Sequence, residues 1–188
     1  MRIGILGGTF NPIHLGHLIL AEEVGYKLNL DKVIFVPTYL PPHKDTSEIA
    51  SAIDRFKMVK LAIKRNRRFS VSDIEIKRKG RSYTIDTIQE FKKMYPHDEL
   101  YFIIGSDLIS YLDSWKDLDR ILKLIKFIVA TRPGYSLSSL PDYISKLDIR
   151  AIDISGFQIR EAIKNKKPFR YLLPEAVYKY INKKGLYR

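Results

Sequence analysis

Two histidines, His14 and His17, stand three positions apart just after a glycine pair, Gly7-Gly8, and a polar turn, Thr9-Phe10-Asn11-Pro12. The apolar run Ile3 to Leu6 before the glycines reads as a short buried strand. The run Leu18 to Ala21 after the histidines opens a helix. Residues three apart share one side of a helical turn, so both imidazoles project toward one place. Unpaired backbone N–H groups at the turn and helix start, with the helix dipole, favour negative charge there. The chemistry implied is anion binding with imidazole donors alongside. The stretch lacks the Gly-Lys-Ser/Thr of a P-loop and the third glycine of the dinucleotide fingerprint. Histidines at this spacing need a third ligand to hold zinc, and no obvious one is supplied. The chain has four histidines in all, so two at one strand-to-helix junction read as functional rather than as incidental surface groups.

The elements that must hold these residues follow from the pattern along the chain. Helical spacing runs from about Leu15 to Leu28, and Lys32 to Val36 is a strand ended by Pro37. The loop Thr38 to Lys44 is stiffened by prolines and carries His43 and Lys44 at its tip. A helix from about Ala52 to Arg65 follows, then Phe69 to Ile76 as one or two short strands. Thr84 is placed as the N-cap of a helix from Ile85 to Met94. Leu100 to Ile104 is a buried strand closed by Gly105-Ser106-Asp107. A helical stretch broken near Asp113-Ser114 resumes from Leu118 to Leu124. Phe127 to Ala130 is a strand ended by Arg132-Pro133-Gly134, and Ile149 to Ile152 is the last. Ser155 begins a helix from Phe157 to Asn165. The closing helix starts at Pro174, in its first turn, and runs to about Lys183, with Gly185 beyond.

Short continuous apolar strands alternating with helices predict an α/β fold. We expect a Rossmann-like, doubly wound, mainly parallel sheet, helices on both faces and a C-terminal helical segment. In such sheets ligands bind beyond the carboxyl ends of the strands. Gly7–His17, Pro37–Lys44, Gly105–Asp107 and Arg132 are therefore expected to converge.

Residues 1–188 are expected to form a single domain with a substantial core, 45% of them apolar. The absence of cysteine excludes disulfides, thiolate metal sites and cysteine nucleophiles, and agrees with a cytoplasmic protein. The N-terminal apolar run is too short for a signal peptide, and no stretch is long enough to span a membrane. The net charge of +12 comes from 33 basic and 21 acidic residues spread along the chain, with small clusters at Lys64–Arg68 and Lys77–Arg81. That distribution favours a solvated surface attracting anionic substrates over a dedicated nucleic-acid partner.

Gly7-Gly8-Thr9-Phe10-Asn11-Pro12-Ile13-His14-Leu15-Gly16-His17 resembles the motif of the His-x-Gly-His nucleotidyltransferase superfamily. Within it, the chain is most similar to bacterial nicotinate-nucleotide adenylyltransferases. Further matches are Pro42-His43-Lys44, Ser82-Tyr83-Thr84-Ile85-Asp86-Thr87, Gly105-Ser106-Asp107 with Trp115 beyond, and Arg132-Pro133-Gly134. Ile154-Ser155 to Ile159-Arg160 and Leu173-Pro174-Glu175-Ala176-Val177 complete the set. Their order and spacing extend over nearly the whole chain.

The resemblance implies adenylyl transfer from ATP to nicotinate mononucleotide, a step of NAD biosynthesis, by direct displacement. It implies His14, His17 and Arg160 as catalytic residues. Gly7, Gly8, Thr9, Phe10, Gly105, Asp107, Ser155 and Ile159 would bind ATP with them, Asp107 at the ribose hydroxyls. His43, Lys44, Tyr83, Thr84, Trp115 and Arg132 would bind the nicotinate nucleotide, with the Trp115 ring stacked on the nicotinate. The residue chemistry agrees: a phosphate acceptor is its own nucleophile, so the protein must supply alignment and donors to phosphoryl oxygens. Mg²⁺ is expected to arrive on the ATP, since no acidic pair near these motifs reads as a metal cage. Gly156 and Phe157 depart from the small or hydroxyl residues usual after the serine, leaving Ser155, backbone N–H groups and Arg160 for phosphate. Lys116 stands where relatives often carry tyrosine. A different phosphorylated acceptor such as 4′-phosphopantetheine, or a non-catalytic nucleic-acid-binding protein, are the competing readings. The expected partners are ATP and nicotinate mononucleotide, and a homo-oligomer is compatible with the sequence.

Overall fold

The computed structural model describes residues 1–41, 48–131, 144–150 and 152–188, with Asp107 described by its backbone. Six strands form one sheet: β1 (Arg2–Gly8), β2 (Lys32–Pro37), β3 (Phe69–Val71), β4 (Glu99–Gly105), β5 (Lys126–Thr131) and β6 (Ile144–Asp148). Their order is β3-β2-β1-β4-β5-β6, and every pairing is parallel. Period-two alternation sends each strand's apolar residues to both faces. Ile3, Ile5, Ile34, Val36, Phe102, Ile104, Phe127 and Val129 pack under α4 (Thr84–Met94) and α5 (Leu118–Leu124). Leu6, Val33, Phe35, Ile103 and Ile128 pack on the other side. There they meet α1 (Leu15–Lys27), α2 (Ala52–Ile63), α6 (Gly156–Lys164) and α7 (Glu175–Lys184). Burial on both faces is what makes continuous apolar runs the signature of these strands.

The chain winds outward from β1 in one direction through β2 and β3, then returns to β4 on the opposite side of β1. That reversal leaves a crevice beyond the carboxyl ends of β1 and β4, where doubly wound sheets bind ligands. Gly7 pairs with Val36 and Leu6 with Ile103, so the glycine pair ends β1 level with the ends of its neighbours.

Four local expectations are corrected. Phe69 to Ile76 is not all strand: β3 stops at Val71 and Ile74–Arg78 form a short helix, α3. Ile74 and Ile76 fit either period over so few residues, and burial of Glu75 between α3 and α4 decides for the helix. The last strand is Ile144–Asp148, not Ile149 to Ile152. At the sheet edge backbone pairing to β5 selects the strand, and its side chains are largely exposed, so no apolar run marks it. Tyr83, not Thr84, is the N-cap of α4. Pro174 caps α7 from just outside its first turn.

Candidate active site

The glycine pair is set by aromatic rings on either side. A Cβ on Gly7 would lie 3.2 Å from the Phe102 ring, and one on Gly8 3.1 Å from the Phe10 ring. Phe10, buried and at φ 48°, takes the left-handed conformation that turns the chain from β1 toward α1. Its ring meets the edge of His17 at a centroid distance of 5.0 Å and so backs that imidazole.

His14 caps α1, and the two imidazoles lie 3.7 Å apart with planes inclined by 35°. A Cβ on Gly16 would come within 3.0 Å of His14 Nδ1, so only glycine lets the ring fold back over the helix start. The backbone N–H of His14 donates to His17 Nδ1 at 3.3 Å. In neutral His17 that acceptor role assigns the proton to Nε2.

These residues line a cavity of about 630 Å³ that also takes in Thr9, Gly105, Ser155, Gly156, Phe157 and Arg160. Ser155 caps α6, its hydroxyl accepting from Gln158 N–H at 3.1 Å while Gln158 Oε1 accepts from Ser155 N–H at 2.9 Å. The Ser155 oxygen is thus committed to the cap, and its O–H proton remains to be donated. Arg160 donates through Nη1 to the Asn11 carbonyl at 2.9 Å, and its buried Nε has no hydrogen-bond partner. Its Nη2 lies 3.8 Å from Glu48, whose carboxylate also pairs with Lys164. The departure at Gly156 has a steric cause: a Cβ there would sit 2.9 Å from the Asn11 carbonyl oxygen. Phe157 is exposed at the rim, with the Arg160 guanidinium 5.9 Å from its ring centroid.

A second cavity, of about 570 Å³, shares Gly7, Gly8, Thr9, Ile104 and Leu108 with the first. Beyond these its wall includes Glu75, Ser82, Tyr83, Thr84, Trp115 and Lys116. Trp115 meets Phe102 and Phe127 edgewise, each at 6.0 Å, so the ring is both packed against the core and presented to the cavity. Lys116, where tyrosine was expected, places its ammonium 4.9 Å from the Tyr83 ring centroid in a cation–π contact.

A sequence profile of the cytidylyltransferase-like family matches residues 5–162. The nicotinate-nucleotide adenylyltransferase of Bacillus subtilis strain 168 is 45% identical over 99% of this chain and 98% of its own length. A probable nicotinate-nucleotide adenylyltransferase of Desulfitobacterium hafniense strain Y51 is 47% identical over all of this chain and 96% of its own. The chain belongs to the nicotinate-nucleotide adenylyltransferase family. It is therefore an enzyme of the nucleotidyltransferase type. The fold agrees with that of a Plasmodium falciparum nicotinic acid mononucleotide adenylyltransferase complexed with NaAD. The TM-score is 0.81 at 20% identity, covering 99% of this chain and 97% of that one.

Of the family residues expected from sequence, Gly7, Gly8, Thr9, Phe10, His14, His17, Gly105, Ser155 and Arg160 meet in the first cavity. Tyr83, Thr84 and Trp115 meet in the second. Ile159 faces the core beneath α6, so it supports the first cavity from behind rather than lining it. Asp107 lies in the 3-10 helix Ser106–Ser114, its side chain outside what is described. His43, Lys44 and Arg132 fall outside the described residues.

Three residues were assigned no role from the sequence. Arg55, fully buried, donates to the carbonyls of Thr9 at 2.7 Å, Tyr39 at 2.9 Å and Ala50 at 2.9 Å. It ties the glycine turn to the loop after β2 and the approach to α2, and burial lowers its pKa. Its position one helical turn before Met58 and Val59, both buried, was the available signal. Asn11 accepts at Oδ1 from Ala50 N–H and Tyr187 O–H and donates to the Glu48 carbonyl. Glu75 is buried against α4, where it accepts the Thr87 O–H at 2.6 Å.

Among the described residues no helix is long and apolar enough to cross a membrane.

Proposed function

We propose that this chain transfers the adenylyl group of ATP to nicotinate mononucleotide, releasing pyrophosphate and forming nicotinic acid adenine dinucleotide. The observation that carries the reading is the junction of two cavities at Gly7-Gly8-Thr9. One side is rich in donors, with His14, His17 and Arg160. The other is aromatic, with Trp115 and Tyr83 beside the N-terminus of α4. The names borne by its close relatives support the same substrates.

A phosphate oxygen of the acceptor attacks the α-phosphorus of ATP in line with the departing pyrophosphate, and no covalent enzyme intermediate is needed. The nucleophile is already anionic, so no protein base is called for. What the protein supplies is geometry and compensation of charge. His17 Nε2–H and the His14 imidazole are placed to meet the oxygens of the transferring phosphoryl group. The half-buried Arg160 guanidinium, the Ser155 O–H and the N-terminus of α6 receive the negative charge that gathers on pyrophosphate. Arg160 is presented by its bond to the Asn11 carbonyl, so the turn that carries the histidines also aims the guanidinium. Tyr83 and Thr84 open α4 toward the acceptor, with N–H groups suited to a carboxylate.

The polar side chains around the first cavity are mostly hydrogen-bond donors, and among the described lining residues the one carboxylate, Glu48, is paired with Lys164 and Arg160. That set fits a Mg²⁺ held by triphosphate oxygens and water. When bound, the ion would offset triphosphate charge.

The test is pyrophosphate release from ATP and Mg²⁺ with each acceptor in turn. Turnover with nicotinate mononucleotide is expected. Silence with it alongside turnover of 4′-phosphopantetheine refutes the reading. Silence with every acceptor, with tight salt-sensitive RNA binding, replaces it by a binding function.

A further inference from the structure

The wall of the second cavity contains a group for which the displacement has no use. Glu75 is buried, yet it lines a space assigned above to an anionic acceptor. Its surroundings define how it is held. Arg78 Nη2 donates to the Thr87 hydroxyl at 3.0 Å, so that hydroxyl must direct its own proton to Glu75 Oε1, 2.6 Å away. Glu75 Oε2 is buried and takes no hydrogen bond. In the neutral form the proton belongs on Oε2, within the cavity wall. In the ionised form a buried negative charge stands in that wall, close to the N-terminus of α4.

We propose that Glu75 is a specificity-determining residue of the second cavity. An acceptor with an ionised carboxylate binds while the Glu75 carboxyl is neutral and is rejected once it ionises; an amide acceptor is admitted in both states. The inference rests on the reading of this cavity as the acceptor site.

The charge environment supports it. Burial pushes the Glu75 carboxyl up from its ordinary range and the Glu90 charge adds to this, against the Thr87 and Ser82 hydroxyls and the Arg78 guanidinium. Arg78 lies on its own helix and is shared with Glu90 of α4 at 3.3 Å. Arg55 acts on Glu75 from α2. Across the cavity stand Tyr83, Tyr111 and Lys116, with the Lys116 ammonium over the Tyr83 ring. The sign follows from the raised pKa. The protein carries neutral Glu75 at low pH and loses it as pH rises through the folded-state value. Each pH unit beyond that point costs a carboxylate ligand about tenfold in affinity, if the ligand requires the neutral form. An amide ligand of the same shape avoids this cost because it carries no charge to be repelled.

Trp115 is the chain's single tryptophan and shares the cavity, so its fluorescence reports binding without turnover. The experiment titrates nicotinate mononucleotide and nicotinamide mononucleotide into wild type and Glu75→Gln between pH 5 and pH 9. The phosphate common to both ligands cancels in the ratio of their affinities. Other cavity groups act alike in both proteins. In wild type the acid-to-amide affinity ratio is expected to fall across the range, by about tenfold per pH unit once Glu75 ionises. In Glu75→Gln it is expected to stay within about twofold, with acid binding retained at high pH. A flat wild-type ratio overturns the proposal without recourse to any variant, as does an equal fall in Glu75→Gln. Binding of neither nucleotide at any pH overturns the acceptor reading as well, which separates the two failures.

Discussion

Replacing Arg55 by methionine tests whether one buried cation holds the active-site loops in register. The guanidinium makes three hydrogen bonds, to the carbonyls of Thr9, Tyr39 and Ala50. Bonds to a charged group contribute about 1.5–3 kcal/mol each, which gives a gross loss of roughly 4.5–9 kcal/mol. Methionine fills similar volume and removes the cost of burying a cation, but it leaves the carbonyls unmatched. Each buried acceptor left unmatched costs about 1–3 kcal/mol, so three carbonyls, less the relief of no longer burying a cation, leave about 3–5 kcal/mol net. For a chain of this size about 2–4 °C of Tm is lost per kcal/mol, so a fall of roughly 6–20 °C is expected. Thermal unfolding followed by circular dichroism measures it. Activity should fall further than the folded fraction accounts for, because Thr9 lies at the junction of both cavities. Lysine at this position should recover part of the stability but little of the activity, since a single ammonium cannot span three carbonyls set by a planar fork. A Tm within about 4 °C of wild type, equivalent to roughly 1 kcal/mol, would refute the account.

Other substitutions probe the remaining parts. His17→Ala should reduce kcat about a hundredfold or more, by analogy with the loss of one oxyanion donor, while nucleotide affinity measured by Trp115 fluorescence changes little. Gly156→Ala forces a methyl to 2.9 Å from the Asn11 carbonyl and disturbs the Arg160 bond beside it. A loss of about tenfold in kcat/KM for ATP is expected in steady-state assays, and wild-type kinetics would contradict the steric reading of that glycine. Trp115→Ala removes the aromatic wall of the second cavity. KM for the acceptor should rise about tenfold with KM for ATP nearly unchanged, consistent with a lost stacking contact of about 1–3 kcal/mol.

Much of the site was legible because the motif residues sit where the backbone forces them. Gly7-Gly8, His14 and His17 follow a strand and open a helix, and such a junction can be recognised from the apolar run before it and the helical run after it. Ser155 and Arg160 stand at the start of another helix for the same reason. The residues that escaped notice are those whose partners are distant in sequence. Nothing near Arg55 announces that Thr9 and Tyr39 turn their carbonyls toward it. Glu75 sits in a stretch whose apolar residues fit strand and helix alike, and its burial depends on Thr87 of the following helix. Phe157 looked like the loss of a phosphate contact. Its ring lies at the rim, and the closer constraint is at Gly156, set by a carbonyl far away in sequence.

Alone, the sequence determined the α/β class, the alternation of strands and helices, the anion-binding junction and the family, because each rests on local patterns and their order. The tertiary structure decided the all-parallel order around β1, the merging of two cavities at Gly7-Gly8-Thr9 and the burial of Arg55 and Glu75. Those depend on long-range packing. The charge a buried side chain carries is set by what surrounds it in space, and neighbours in sequence do not reveal that.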